Sequence, residues 1–534
     1  MSASHSELDL ERAIGRAFMF GFPGAQPSEG ILRMIREDHL GGVILFSRNI
    51  ASREQVRELC LALQEEARVA GHDQPLLIAT DQENGLVRRL GPDSPLFPGN
   101  MALGAIGSDS IAFDVAYYTG RELLALGVNM NLAPVVDVNN NPTNPVIGIR
   151  SFGEDPELVA RLGAATVRGF ADAGVISSLK HFPGHGDTGV DSHLALPTIA
   201  ADRERLDAVE LIPFRRGIAV GADTVLMGHM RVPALEAGEA LPASVSPAII
   251  TSLLREELGF SGVVVTDCLE MDAISRGVGV AQGSVRALVA GADLVLVSHR
   301  QDRQMAALSE ARAALRSGRL DPARIREAIG SLRDLKARRL SWERSLNPPP
   351  ASSSLLDTTS LRNHAYARST TLVRDTAALL PLRLEPGQRL LVLDWPAYKV
   401  WGAVDIPFDS EPFVSALRER QDAVEVVALP AVDDSAGRES ARRRIEDAAV
   451  VIALTLNAHL DLERAALLRE LLDGKRQVIG VAVCNPYDAA ALPTIPTYLL
   501  TYDYSAPALR AAAEVLTSAR APSGVCPVTL SVGA

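Results

Sequence analysis

The feature that most constrains this 534-residue chain is a rhythm, in which short apolar runs rich in β-branched residues alternate with longer amphipathic stretches. Eight such runs fill the first 340 or so residues, at 16–22, 41–47, 75–81, 131–138, 176–182, 224–230, 262–267 and 293–298. A nearly continuous apolar run suits a strand covered on both faces, as in a parallel sheet. Helical periodicity occupies the gaps, for example at 53–70 and 250–260. Eight consecutive β-then-α units point to a (β/α)8 TIM barrel.

The alternation resumes near the C-terminus. Apolar runs at 389–395, 424–429, 449–457, 477–485 and 497–504, with a helical stretch at 463–474, predict a smaller α/β sandwich with a mostly parallel sheet. Between the two lies SLNPPPASSS (345–354), whose prolines and serines favour no packed element. The expected organisation is an α/β chain with a barrel over 1–344, a linker over 345–360 and a C-terminal sandwich over 361–534. The second part holds neither a GxGxxG fingerprint nor a P-loop, so nucleotide binding has no support.

Composition narrows the function classes. The formal net charge is -12 and no Lys/Arg block occurs, which argues against a nucleic-acid partner. No stretch reaches the roughly 18 apolar residues of a membrane span. The first residues carry acidic groups where a signal peptide needs basic ones, so the cytoplasm is the expected address. Cys60, Cys268, Cys484 and Cys526 are far apart and form no CxxC pair, which speaks against a zinc site or disulfide framework.

Chemistry-bearing residues gather at strand ends. Asp81 closes the third predicted strand, His181 the fifth, His229 the sixth and Asp267 the seventh. The C-terminal ends of barrel strands are where catalytic residues are expected. The densest segment is KHFPGHGDTGVDSHLALP (180–197), which packs Lys180, His181, His185, Asp187, Asp191 and His193 into one glycine-rich loop. Such a cluster suits either acid/base work or a metal, although no HExxH-like spacing is present. Asp191 and His193 are two apart, so an extended backbone points both side chains the same way. The carboxylate then orients the imidazole and leaves its other nitrogen free to exchange a proton. Asp267 ends a buried apolar run, where it serves either as a nucleophile in a polar cavity or as the N-cap of the next helix. His229 reads as a supporting group or as rim packing.

These segments resemble the family 3 glycoside hydrolases. The resemblance extends through DQENGLVRRL (81–90), APVVDV (133–138), NPVIGIRSFGEDP (144–156) and LPASVSPAIITSLLREELGFSGVVVTD (241–267), covering nearly all of residues 15–340 in order. ARSTTLVRD (367–375) and SGVCPVTL (523–530) look like the second domain of many members. The KHFPGHGDT…DSH loop is similar to that of the β-N-acetylglucosaminidase branch. That resemblance implies Asp267 as nucleophile, His193 as acid/base, Asp191 as its orienting partner, and sugar contacts from Asp81, Arg89, Arg150, Lys180 and His181. It implies no cofactor and no metal, a GlcNAc-containing carbohydrate as substrate, and a monomer or homodimer. A retaining double displacement follows, with the His193 loop closing over the sugar. An imidazole base repels phosphate less than a carboxylate does, so phosphorolysis is the alternative, and a β-glucosidase of the same family is another. Two positions depart from the family pattern. Asn84 replaces a glycine, at a turn where Asn tolerates positive φ, and Leu86 stands where a polar residue is common.

Overall fold

Eight parallel strands close on themselves in sequence order. They are β1 (Phe18–Phe20), β2 (Gly42–Leu45), β3 (Leu77–Thr80), β4 (Met130–Asn131), β5 (Ile176–Phe182), β6 (Thr224–Met227), β7 (Val263–Cys268) and β8 (Leu294–Val297), and β1 pairs with both β2 and β8. The structure is a computed structural model that describes residues 10–530 except 92, 237, 239–240, 351–354, 397–402 and 519–520. Alternation along each strand feeds two cores. Val263 and Val265 of β7 face inward with Met19, Ile44, Leu77, Ile176 and Leu294, while Val264 packs outward against the helices. Leu332 and Leu335, from the helix Pro322–Arg339, join the inner layer and close the barrel's base. Each such side chain taken from water contributes about 1.5–3 kcal/mol.

The intervening helices begin where short polar side chains can cap them. Ser52 accepts from the Gln55 amide ahead of Arg53–Val69, and Asp155 accepts from the Glu157 amide ahead of Pro156–Ala173. The fourth strand is shorter than the expected 131–138. Pro134 has no N–H to place in a ladder, so regular pairing stops at Asn131. The chain nevertheless stays beside β5, with the Lys180 amide donating to the Pro134 carbonyl at 3.2 Å and the Val136 amide to the Lys180 carbonyl at 2.8 Å.

A second, six-stranded sheet follows, ordered β11-β10-β12-β13-β14-β9. Its members are β9 (Thr371–Asp375), β10 (Leu390–Asp394), β11 (Val424–Ala428), β12 (Val450–Thr455), β13 (Val478–Ala482) and β14 (Thr497–Leu500). All pairs are parallel except β9 with β14. Local periodicity does not mark β9 as a strand. It is a half-exposed edge whose run ends in Arg374 and Asp375, so it lacks the apolar continuity of its neighbours.

The Pro/Ser segment is flanked by helices Trp342–Leu346 and Leu355–Ser369, and its residues 351–354 lie outside those described. The two domains share a core. Leu86, Val87, Met101 and Ile149 of the barrel belong to the same apolar cluster as Leu390, Ile452 and Val481 of the second sheet. No helix among the described residues is long and apolar enough to cross a membrane.

Candidate active site

Asp81 leaves the end of β3 and enters a turn that brings the chain back towards the barrel mouth. Asn84 (φ 70°) and Gly85 (φ 59°) both adopt left-handed backbone, as expected for Asn84. A side chain at Gly85 would meet the Gly99 Cα at 2.8 Å, so the turn also needs a glycine there. Gln82 fastens the returning strand, since its Oε1 accepts from the Arg89 amide (3.0 Å) and the Leu90 amide (3.2 Å). Leu86 is buried in the shared core, which explains an apolar residue at this position.

A dense buried ion network forms one wall. Lys180 Nζ lies 2.9 Å from Asp81 Oδ1 and 2.6 Å from Glu83 Oε1. Arg150, on the short turn Gly148–Arg150, clasps Glu83 through Nε (2.9 Å) and Nη2 (2.8 Å). Such a fork fixes orientation as well as charge. Burial opposes ionisation of Glu83, but Arg150 and Lys180 together hold its carboxyl well below the usual carboxylate range. Burial likewise opposes the charge on Lys180, and Asp81 and Glu83 outweigh it and raise its value. Arg150 Nη2 is also 3.3 Å from His181 Nε2, and His181 Nδ1 is 2.7 Å from Asp137 Oδ2. Arginine can only donate, so Nε2 accepts and the Nδ1–H donates to Asp137. Asp137 Oδ1 accepts from the His181 and His185 amides at 3.1 and 2.7 Å, tying β5 to the loop that follows.

That loop carries the predicted pair. Asp191 Oδ1 accepts from His193 Nδ1 at 2.7 Å and from the His193 amide at 2.9 Å. Burial pushes Asp191 upward, but the His193 hydrogen bond and charge prevail and lower it. The imidazole is 40% exposed, and its Nε2 has no protein partner among the described residues. The loop is pinned one turn earlier. His185 Nδ1 is 2.7 Å from Thr188 Oγ1, its Nε2 is 3.1 Å from Ser192 Oγ, and burial pushes it down to about 4. A side chain at Gly186 would collide with the Val138 carbonyl oxygen at 1.6 Å, so only glycine permits this approach.

Asp267 lies in β7, with Oδ1 accepting from the Cys268 amide at 2.7 Å. Burial works against its ionisation, but His229, His181 and His193, with the Cys268 N–H, hold it below the ordinary carboxylate value. His229 is fully buried. Its Nδ1 is 2.7 Å from Ser244 Oγ and its Nε2 is 3.0 Å from the Cys268 carbonyl, so it clamps the backbone beside Asp267.

Asp81, Arg89, Arg150, Lys180, His181, His193 and Asp267 line one cavity of about 310 Å³, while Asp191 stands behind His193. The volume is at the low end of ligand sites, which run from roughly 300 to 1,000 Å³. Three participants were not singled out from sequence. Glu83 and Asp137 sat inside quoted motifs, and each is a carboxylate next to a basic partner distant in sequence. Asp405 comes from the second domain. It pairs with Arg89 at 2.9 Å, accepts from Ser47 Oγ at 2.5 Å and lines the same cavity, with no local signal in the sequence.

Residues 10–334 match the family described as Glycosyl hydrolase family 3 N terminal domain. The chain belongs to glycoside hydrolase family 3. Its relatives in the family include a beta-hexosaminidase A of Pseudoalteromonas piscicida, 39% identical over 57% of this chain and 54% of that one. The chain thus spans about half the length of that relative. A beta-hexosaminidase of Xylella fastidiosa is 40% identical over 53% of this chain and 83% of its own. Among solved structures, a family 3 beta-N-acetylglucosaminidase from Paenibacillus sp. superposes with a TM-score of 0.91 at 42% identity, covering 98% of this chain and 99% of that one.

Proposed function

We propose that this family 3 member is a retaining β-N-acetylglucosaminidase, with Asp267 as nucleophile, His193 as acid/base and Asp191 as the group that orients His193. The observation that carries the reading is the 2.7 Å Asp191–His193 pair on a loop lining the same cavity as Asp267. A depressed carboxyl value keeps Asp267 ionised for attack on the anomeric carbon. With Nδ1 committed to Asp191, His193 presents Nε2 to the leaving oxygen. It gives its proton in the first step and takes one from water in the second, with net retention. Asp81 accepts from sugar hydroxyls, while Lys180, Arg89, Arg150 and His181 contact oxygens on the same wall. The printed names of the bacterial relatives and of the Paenibacillus structure support the N-acetyl preference. Terminal β-linked GlcNAc of peptidoglycan fragments or chitin oligosaccharides is the proposed substrate, handled in the cytoplasm.

The test is turnover of aryl β-N-acetylglucosaminide beside aryl β-glucoside, with the first-formed anomer followed by proton NMR. The reading expects preference for the N-acetyl sugar and release of the β-anomer, both lost in Asp267→Ala. First release of the α-anomer, or wild-type turnover by the variant, would overturn it. Adding phosphate distinguishes the acceptor, because formation of GlcNAc-1-phosphate leaves the first step intact and replaces water in the second.

A further inference from the structure

The chain carries 49 arginines but only four lysines, Lys180, Lys336, Lys399 and Lys475. Lys180 belongs to the cavity wall, Lys475 reaches the Ala448 and Glu446 carbonyls near the surface, and Lys399 lies outside the described residues. Lys336 is different. It sits near the end of the helix Pro322–Arg339, at the base of the barrel and remote from the catalytic mouth. Its side chain is buried, and Nζ makes a 2.8 Å hydrogen bond to the Gly41 carbonyl just before β2. No carboxylate ion-pairs with it among the described residues, and the charged neighbour that acts on it is Arg16.

A buried ammonium has three N–H groups to satisfy, and this one has a single acceptor beside a second cation. Burial, reinforced by Arg16, pushes the amine down to about 7. The neutral amine keeps its bond to Gly41 and gains a free lone pair. Arginine, always charged, cannot do this. Next to Lys336 is a cavity of about 30 Å³, whose polar lining includes Arg16, His72, Asp73 and Arg333. Arg16 pairs with Asp73 at 3.2 Å. His72 bonds the Ile35 carbonyl at 2.8 Å and stacks on His39, and burial holds it down to about 4, hence uncharged at neutral pH.

We propose that Lys336 is a site of reversible carbamylation by carbon dioxide. The amine lone pair forms an N–C bond, one C–O π bond opens to give a carboxylate, and the nitrogen releases a proton to solvent. The product keeps one N–H for the Gly41 carbonyl, and its new carboxylate faces Arg16. The small volume suits a triatomic electrophile, and the Arg16 guanidinium, with five N–H donors and only the Asp73 carboxylate as its ion-pair partner among the described residues, supplies a cation beside the product that an ordinary surface lysine lacks.

The full chain in [13C]bicarbonate at pH 8 should show a carbamate carbonyl resonance approaching one per chain, absent in Lys336→Arg and retained in Lys475→Arg. Absence of the signal in the wild type, or its survival in Lys336→Arg, overturns the proposal. Should Lys336→Arg fail to fold, alkyl trapping of the carbamate in the wild type, followed by peptide mass mapping, gives the same decision. The trapped group on the peptide holding Lys336 supports the site, and its placement elsewhere overturns it.

Discussion

The wall built from Asp81, Glu83, Arg150, Lys180 and His181 and the loop that carries His193 treat their charges differently. On the wall every ion has two or more partners, and Glu83 alone engages Arg150 and Lys180. On the loop, His193 has one carboxylate behind it and is 40% exposed. A rigid, over-determined wall suits recognition, because its groups need no reorganisation when a sugar's hydroxyls arrive. A singly tethered imidazole suits the acid/base role proposed for His193, since a group in that role meets the leaving oxygen and later water. Substitutions on the wall should therefore cost stability and binding together, whereas substitution of the exposed His193 should cost turnover alone.

The largest effect tests the point where the two regions meet. Asp267→Ala should lower turnover by about 10⁴-fold or more, measured on an aryl glycoside, with urea unfolding close to wild type. On the wall, Glu83→Ala leaves Arg150 and Lys180 without their shared carboxylate. Loss of one partner of a buried pair costs about 3–5 kcal/mol, readable from the urea midpoint. Because the Glu83 carboxyl is depressed in the fold, its contribution is present at neutral pH. It disappears only as the pH falls through and well below the ordinary carboxylate range. On the loop, His193→Ala should reduce turnover of poor leaving groups by roughly 10²–10³-fold, and much less for activated aryl groups. Its stability should stay within about 0.5 kcal/mol of wild type. A stability loss there equal to that of Glu83→Ala would erase the contrast.

Two smaller effects sharpen it. His185 pins the loop while neutral, and its folded value, about 4, lies below the ordinary 6.5. Its contribution is complete above pH 6.5 and fades as the pH falls towards 4, to a limit of about 3 kcal/mol. Wild type should lose urea resistance over that window, and His185→Gln, which never charges, should lose less. Last, Asp405→Asn should raise KM by about tenfold with little change in kcat, because Arg89 keeps its contact with the Ala403 carbonyl at 3.0 Å. A change confined to kcat would mean that Asp405 acts on the chemistry rather than on holding Arg89.

Much of the fold was legible because strand and helix periodicities are local. The run at 176–182 coincides with β5, and 53–70 differs by one residue from the observed Arg53–Val69. Legibility failed where backbone chemistry interrupted a run, as at Pro134, or where an edge strand carried polar residues, as in β9. At the site, the residues expected to act as nucleophile, acid/base or sugar contacts all line the cavity, and Asp191, the expected orienting group, reaches it through His193. His229, left open between two readings, is a buried clamp on the Cys268 carbonyl.

The sequence by itself determined the order of elements, the glycine-dependent turns and the Asp191–His193 pairing, because each depends on residues a few positions apart. Only the tertiary structure decided that Glu83 is shared by Arg150 and Lys180, 67 and 97 positions away, that Leu86 packs into the second domain, and that Asp405 reaches Arg89 across 316 positions. Those contacts exist because the closed barrel brings all strand ends to one mouth and the shared core holds the second domain against it. No local periodicity encodes which distant carboxylate will meet which guanidinium there.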